Sequence, residues 1–186
     1  MYDWANSAFA VVVLTAFFPF LFKSYWDSGA DAALNTARLG MGDSISGLFV
    51  AILSPLLGAL ADAGKARKSF LIFFMAIGTL MTFMIWFVGA GSWQTAIIVF
   101  ILANIGFACG NLFYDALLVD VALENDMDNI SSLGYATGYV GGGLLYGIDV
   151  LLVLFWQRAG FESQAQAARA GFIFVAVWWM VSQAIF

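Results

Sequence analysis

Histidine is absent from this 186-residue chain, and cysteine occurs once, as Cys109. Those two scarcities remove an internal disulfide, a zinc site and any Cys-His or Ser-His-Asp catalysis. No metal, cofactor or enzyme activity is implied. Charge is scarce as well: 10% of the residues are Asp, Glu, Lys or Arg, where a soluble domain carries about a quarter. The seven bases form no face for nucleic acid. No basic stretch precedes the first apolar run, so a cleavable leader is not expected. What remains is 63% hydrophobic with a mean hydropathy of +0.92. Such a composition describes an integral membrane protein, with the lipid bilayer as its surroundings. Cys109, between Ala108 and Gly110, reads as a small packing residue.

A spanning helix needs about 20 mostly apolar residues. Six segments qualify, at about 4–22, 41–61, 70–90, 94–119, 133–156 and 170–186. Together they predict one six-helix transmembrane domain over 1–186. Runs such as Phe70-Leu71-Ile72-Phe73-Phe74-Met75 lack the alternation of barrel strands, so the fold class is all-α. Pro55 is expected to bend the second helix, and Asp43 to cap its start. Residues 1–90 and 94–186 form two three-helix blocks of nearly equal length, as a 3+3 inverted repeat would.

The loops alternate in character. The shortest is basic, with Asp62, Gly64, Lys65, Arg67 and Lys68 between two apolar spans. The loop at 120–132 is acidic, with Glu124, Asp126 and Asp128, and lacks the glycine of a calcium-binding loop. Basic loops favour the cytoplasm. Counting bases does not decide the orientation, because Lys23, Arg38, Arg158 and Arg169 fall on the opposite side.

Three motifs resemble a known family. Gly58, Asp62, Gly64, Arg67 and Lys68 fit the loop between the second and third helices of the major facilitator superfamily, with Ala63 and Ala66 where arginines are usual. Tyr2-Asp3-Trp4-Ala5-Asn6-Ser7-Ala8-Phe9-Ala10 and Leu133-Gly134-Tyr135-Ala136-Thr137-Gly138-Tyr139-Val140-Gly141-Gly142-Gly143 resemble hallmarks of its vacuole effluxer-like branch, the autophagy-related amino-acid effluxers and their bacterial relatives. The block from Phe113 to Asp120 is a third likeness, with Asp115 where asparagine is usual. The resemblance covers the amino-terminal six-helix half of such a transporter. It implies half of a major facilitator fold, in a bacterial inner membrane, with loops 62–69 and 120–132 in the cytoplasm. It also implies a second six-helix half, supplied by a parallel homodimer or a separate chain, onto which Asp62 would latch.

The polar residues inside the spans are the candidate sites, since polar groups in lipid turn toward a bundle interior or a cavity. Asp3, Asn6 and Ser7 share one face of the first helix, by spacings of three and four. They read either as a substrate-facing strip or, for Asp3, as a cap at the membrane surface. On the fourth helix Asn104, Asn111 and Asp115 share a face with Tyr114 beside it, a stripe suited to a polar solute or to interhelical bonding. Tyr135, Tyr139, Tyr146 and Asp149 form a strip on the fifth helix, where Gly134, Gly138 and Gly142 make a groove for close helix contact. Asp149 and Asp3 are the candidates for proton coupling; the alternative for Asp149 is a place near the far interface, in water. The expected function is transport of a small polar solute, an amino acid by the resemblance, through alternating access. The alternative is a non-transporting assembly or regulatory subunit, or an inactive fragment.

Overall fold

The computed structural model describes residues 2–63, 66–121 and 127–184, with side chains at 2–60, 66–118 and 128–182. They form six helices: α1 (Tyr2–Trp26), α2 (Ala32–Ala63), α3 (Arg67–Ile85), α4 (Trp93–Val121), α5 (Met127–Leu154) and α6 (Gln164–Ala184). Each is long and apolar enough to cross a membrane, and no strand occurs among the described residues. The all-α six-helix bundle is the architecture expected from the apolar runs.

Helix ends follow local capping chemistry more closely than hydropathy. Asp31 Oδ1 accepts the Leu34 N–H at 2.8 Å, so α2 starts at Ala32 and not near 41. Asp43 therefore sits inside the helix on an exposed face and caps nothing. Ser163 Oγ accepts the Gln166 N–H at 3.1 Å and starts α6 in the same way, ahead of the expected 170. The helix α3 stops at Ile85, and the chain then turns through Gly91, whose φ of 75° suits glycine. Pro55 lies within α2, which runs unbroken through it.

The helix α1 departs from regular geometry. Phe9–Phe17 and Phe22–Trp26 wind at the wider π pitch, with the Phe18 N–H bonded to Val13 O and the Asp27 N–H to Phe22 O. The Thr15 hydroxyl donates to Ala10 O, five residues back, at 2.8 Å. Pro19, which has no N–H to give, stands between the two stretches. Wide turns of this kind are frequent at functional sites.

Lipid tails are as apolar as leucine, so helices in a membrane associate through close packing and polar contacts. The packing here is centred on α1 and α4. Phe9 stacks on Phe107 with ring centroids 4.8 Å apart, and Phe18 on Phe100 at 4.2 Å. The tightest backbone approach is between α3 and α4, where a Cβ on Gly106 would stand 2.5 Å from Gly78 N. Trp179 of α6 closes over the other side of Gly78. Cys109 is fully buried and packs with Leu57, Phe74 and Phe113. The helix α5 lies on α1, and α2 lies on α4, each leaving an apolar face uncovered: Leu48, Ile52 and Leu56 on α2, Val140, Leu144 and Leu151 on α5.

The two ends of the bundle are built differently. At the end holding the α1–α2, α3–α4 and α5–α6 connections, Trp26 Nε1 donates to Val88 O at 3.2 Å and the Gly91 N–H to Tyr25 O at 3.1 Å. Arg169 donates from Nη1 to Tyr25 Oη at 2.6 Å and from Nη2 to Trp86 O. Its guanidinium lies 4.9 Å from the centre of the Tyr25 ring and 5.1 Å from that of Trp86. Arg38 pairs with Asp27 at 2.6 Å and stacks over Trp93 at 3.8 Å. Two of the four bases that weakened the topology count, Arg38 and Arg169, are thus held by protein groups at one end. The opposite end carries the polar groups of the candidate site.

Candidate functional site

The first turns of α1, the last turns of α4 and the start of α5 meet around a cavity of about 260 Å³. From α1 it takes Asp3, Asn6 and Ser7; from α4, Asn111, Tyr114 and Asp115; from α5, Tyr135 and Tyr139. Phe107, Ala10 and Val11 supply its apolar wall. Eight of the residues singled out by spacing thus line one space, although they come from three separate stretches of the chain. Its size suits a small solute, since pockets for drug-sized ligands begin at about 300 Å³.

The hydrogen bonds inside it join helices. Asn6 Nδ2 donates to Asn111 Oδ1 at 2.5 Å, which ties α1 to α4 in the middle of the site. The Tyr114 hydroxyl donates to Asp3 Oδ2 at 2.9 Å, and the Tyr114 ring stacks on Tyr2 with centroids 4.3 Å apart. Asp3 therefore turns toward α4 and is held there by a tyrosine. Asn6 is only 5% exposed, and its Oδ1 has no hydrogen-bond partner among the described residues. A buried acceptor without a partner carries a desolvation cost that a water or a ligand donor reaching it would relieve.

The glycines of α5 make this arrangement possible. A Cβ on Gly138 would meet Ser7 Oγ at 2.5 Å, and one on Gly142 would meet Ser7 O at 2.9 Å. At Gly134 it would collide with Asp3 Oδ2. These three positions hold α5 against the polar face of α1. Gly141 belongs to the same contact, with Trp4 O 2.6 Å from where its Cβ would be. Trp178 on α6 braces Trp4 from the other side, its Nε1 donating to Trp4 O at 3.2 Å.

Three candidates lie outside the cavity. Asn104 donates from Nδ2 to Ser46 Oγ at 2.8 Å and serves as a bond between α4 and α2. It shares a helical face with Asn111, but that face meets α2 at one level and α1 at the other. Tyr146 leans on Phe17 with ring centroids 6.1 Å apart. Asp149 is 1% exposed and faces α6, where a Cβ on Gly171 would stand 3.1 Å from its carboxyl carbon. Neither of its oxygens has a hydrogen-bond partner among the described residues. It is buried in protein, not at a wet interface. Spacing alone did not point to Ser46 or Gly171, because neither stands out within its own helix.

Of the loop motif, Gly64 and the side chain of Asp62 lie outside the described residues, as do Glu124 and Asp126. Gly58 has open space where a Cβ would be, and Lys68 is exposed. Arg67 donates from Nη1 to Ala116 O at 3.2 Å, which fastens the start of α3 to the end of α4 beside the cavity. A larger groove of about 630 Å³ lies between α3 and α6, but apart from the Thr79 hydroxyl its lining is apolar. It suits hydrocarbon and not a polar solute.

Comparison with known proteins gives two matches. A family model described as vacuole effluxer Atg22 like matches residues 36–122. The uncharacterized MFS-type transporter YxiO of Bacillus subtilis (strain 168) is 38% identical over 181 residues, which is 96% of this chain and 42% of that relative. The chain therefore spans about two-fifths of the length of the curated relative it matches. No solved structure matches.

Proposed function

We propose that this chain, which is similar over residues 36–122 to the vacuole effluxer Atg22-like family and over nearly its whole length to an MFS-type transporter, forms one half of a transporter for a small polar solute. The observation that carries this reading is the amide pair Asn6–Asn111, set between Asp3 and Asp115 in a cavity within the membrane-spanning bundle. Isolated polar bonding between helices needs no cavity; here the paired amides form part of a cavity wall. An amino acid is the solute favoured by the family resemblance. The uncovered faces of α2 and α5 are where a second six-helix half would sit, either a parallel copy of this chain or a separate one. In this reading loops 62–69 and 120–132 face the cytoplasm of a bacterial cell, and the cavity opens toward that side.

The test is flux of labelled amino acids into liposomes containing the full chain. Asn111→Ala is expected to lower kcat/KM roughly tenfold, the effect of losing a charge-free hydrogen bond and orphaning its partner. Ile98→Val, on an exposed part of α4, is expected to change nothing. Equal loss in both variants would sink the pocket as a transport site. A folded protein with no flux at all would favour the non-transporting subunit.

Asp149 is the proposed proton carrier, because it is buried between α5 and α6 without a partner. Arg169, two positions before Gly171 on α6, is engaged by Tyr25 and Trp86. With Asp149→Asn, an imposed pH gradient is expected to stop accelerating uptake, while exchange of solute at equal pH continues. Acceleration as large as in the unaltered protein would remove Asp149 from the coupling step.

A further inference from the structure

The charged groups that line the cavity are both carboxylates, while its donors, Asn111 Nδ2 and the Ser7, Tyr135 and Tyr139 hydroxyls, are neutral. Asn6 has its Nδ2 committed to Asn111, and its buried Oδ1 is left open. Asp3 accepts a bond from Tyr114, and Asp115 stands exposed in the lining. No lysine or arginine lines the cavity among the described residues, and none of them pairs with Asp3 or Asp115. Arg67, at the same end, reaches the Ala116 carbonyl and is not part of the wall. Tyr135 and Tyr139 add exposed aromatic rings, 62% and 76% accessible, at the rim.

Each of these features discriminates between charges of opposite sign. An incoming carboxylate would meet two carboxylates and no base. An ammonium group would find two carboxylates and aromatic faces that attract cations, with the unpartnered Asn6 Oδ1 buried behind them. Resting on the solute-pocket reading above, we propose that this pocket selects its solute through an ammonium group and rejects solutes whose only charge is a carboxylate. A zwitterion enters amine first. The ligand class is thus amines and amino acids read from their amino end, and not organic acids.

Three probes that share the valine side chain separate the cases: valinamide, with one positive charge; valine, a zwitterion; and N-acetylvaline, with one negative charge and a larger acyl group. Binding to the full chain in lipid nanodiscs is followed by intrinsic tryptophan and tyrosine fluorescence, in parallel with valine flux into liposomes. Valinamide and valine are expected to bind at least roughly tenfold more tightly than N-acetylvaline, the scale of one charge-assisted contact. Asp115→Asn is expected to weaken valinamide by a similar factor and close most of the gap, while Asp115→Glu keeps the order. Asn6→Ala, checked for retained helicity, is expected to weaken valinamide and valine alike. N-acetylvaline binding as tightly as valinamide, with valine flux intact, would overturn the ammonium rule and leave the transport reading standing. Absence of both binding and flux for every probe would overturn the two together. The same response to sodium chloride alone would assign the acidic pair to an inorganic cation, and the proposal would fall.

Discussion

Gly106→Val is expected to lower the melting temperature of the purified protein in detergent by about 10 °C, from a loss of about 3 kcal/mol. The new Cβ would stand 2.5 Å from Gly78 N, 2.7 Å from Gly78 Cα and 2.8 Å from Phe74 O. All three are backbone atoms, so no side chain can swing aside. Nor can α3 retreat, because Trp179 closes over Gly78 from α6, with its ring already 2.6 Å from where a Cβ there would lie. The strain therefore spreads over three helices. The comparison variant is Gly143→Val on α5, where nothing lies within 4 Å. It is expected to melt within about 2 °C of the parent, since only helix propensity changes there. Equal melting temperatures for the two variants would show that the α3–α4 contact is looser than the geometry requires.

The second large effect is expected at Arg169. Its guanidinium joins three elements at once: Tyr25 at the end of α1, the Trp86 carbonyl just past α3, and its own helix α6. Arg169→Ala removes two charge-assisted bonds and the ring contacts, for a cost of about 3 kcal/mol. Arg169→Lys is the more informative change. A lysine keeps the charge, but its ammonium is a compact point and cannot replace a planar fork between two rings. Thermal unfolding of Arg169→Lys is therefore expected close to that of Arg169→Ala. Recovery of parental stability by lysine would mean that charge alone is needed there.

Hydropathy revealed six spans because lipid demands apolar surface wherever a helix meets it. It could not place the helix ends, which are set by single polar side chains such as Asp31 and Ser163 that cap helices extending past the apolar stretch. Helical spacing grouped Asn111, Tyr114 and Asp115 correctly, since they lie within one turn and meet one neighbour. It also placed Asn104 on that face, yet two turns away the neighbour has changed from α1 to α2, and Asn104 bonds to Ser46. Periodicity reports a direction around a helix and not what stands in that direction. Arg169 looked like one scattered base in a polar loop. Its partners lie 144 and 83 positions away in the chain, and no local pattern could announce them. The wide winding of α1 was equally hidden, for its residues are ordinary apolar ones.

The unequal construction of the two ends has a mechanical consequence. At the Arg169 end, three segments, the end of α1, the α3–α4 connection and α6, are joined through carbonyls, a tyrosine hydroxyl and a guanidinium. At the other, α5 rests on α1 through bare glycine backbone around a space, with few bonds to break. Local opening is therefore expected to be unequal: backbone amide exchange in lipid should be slower around Trp86 and Gly91 than in the first turns of α1 and α5.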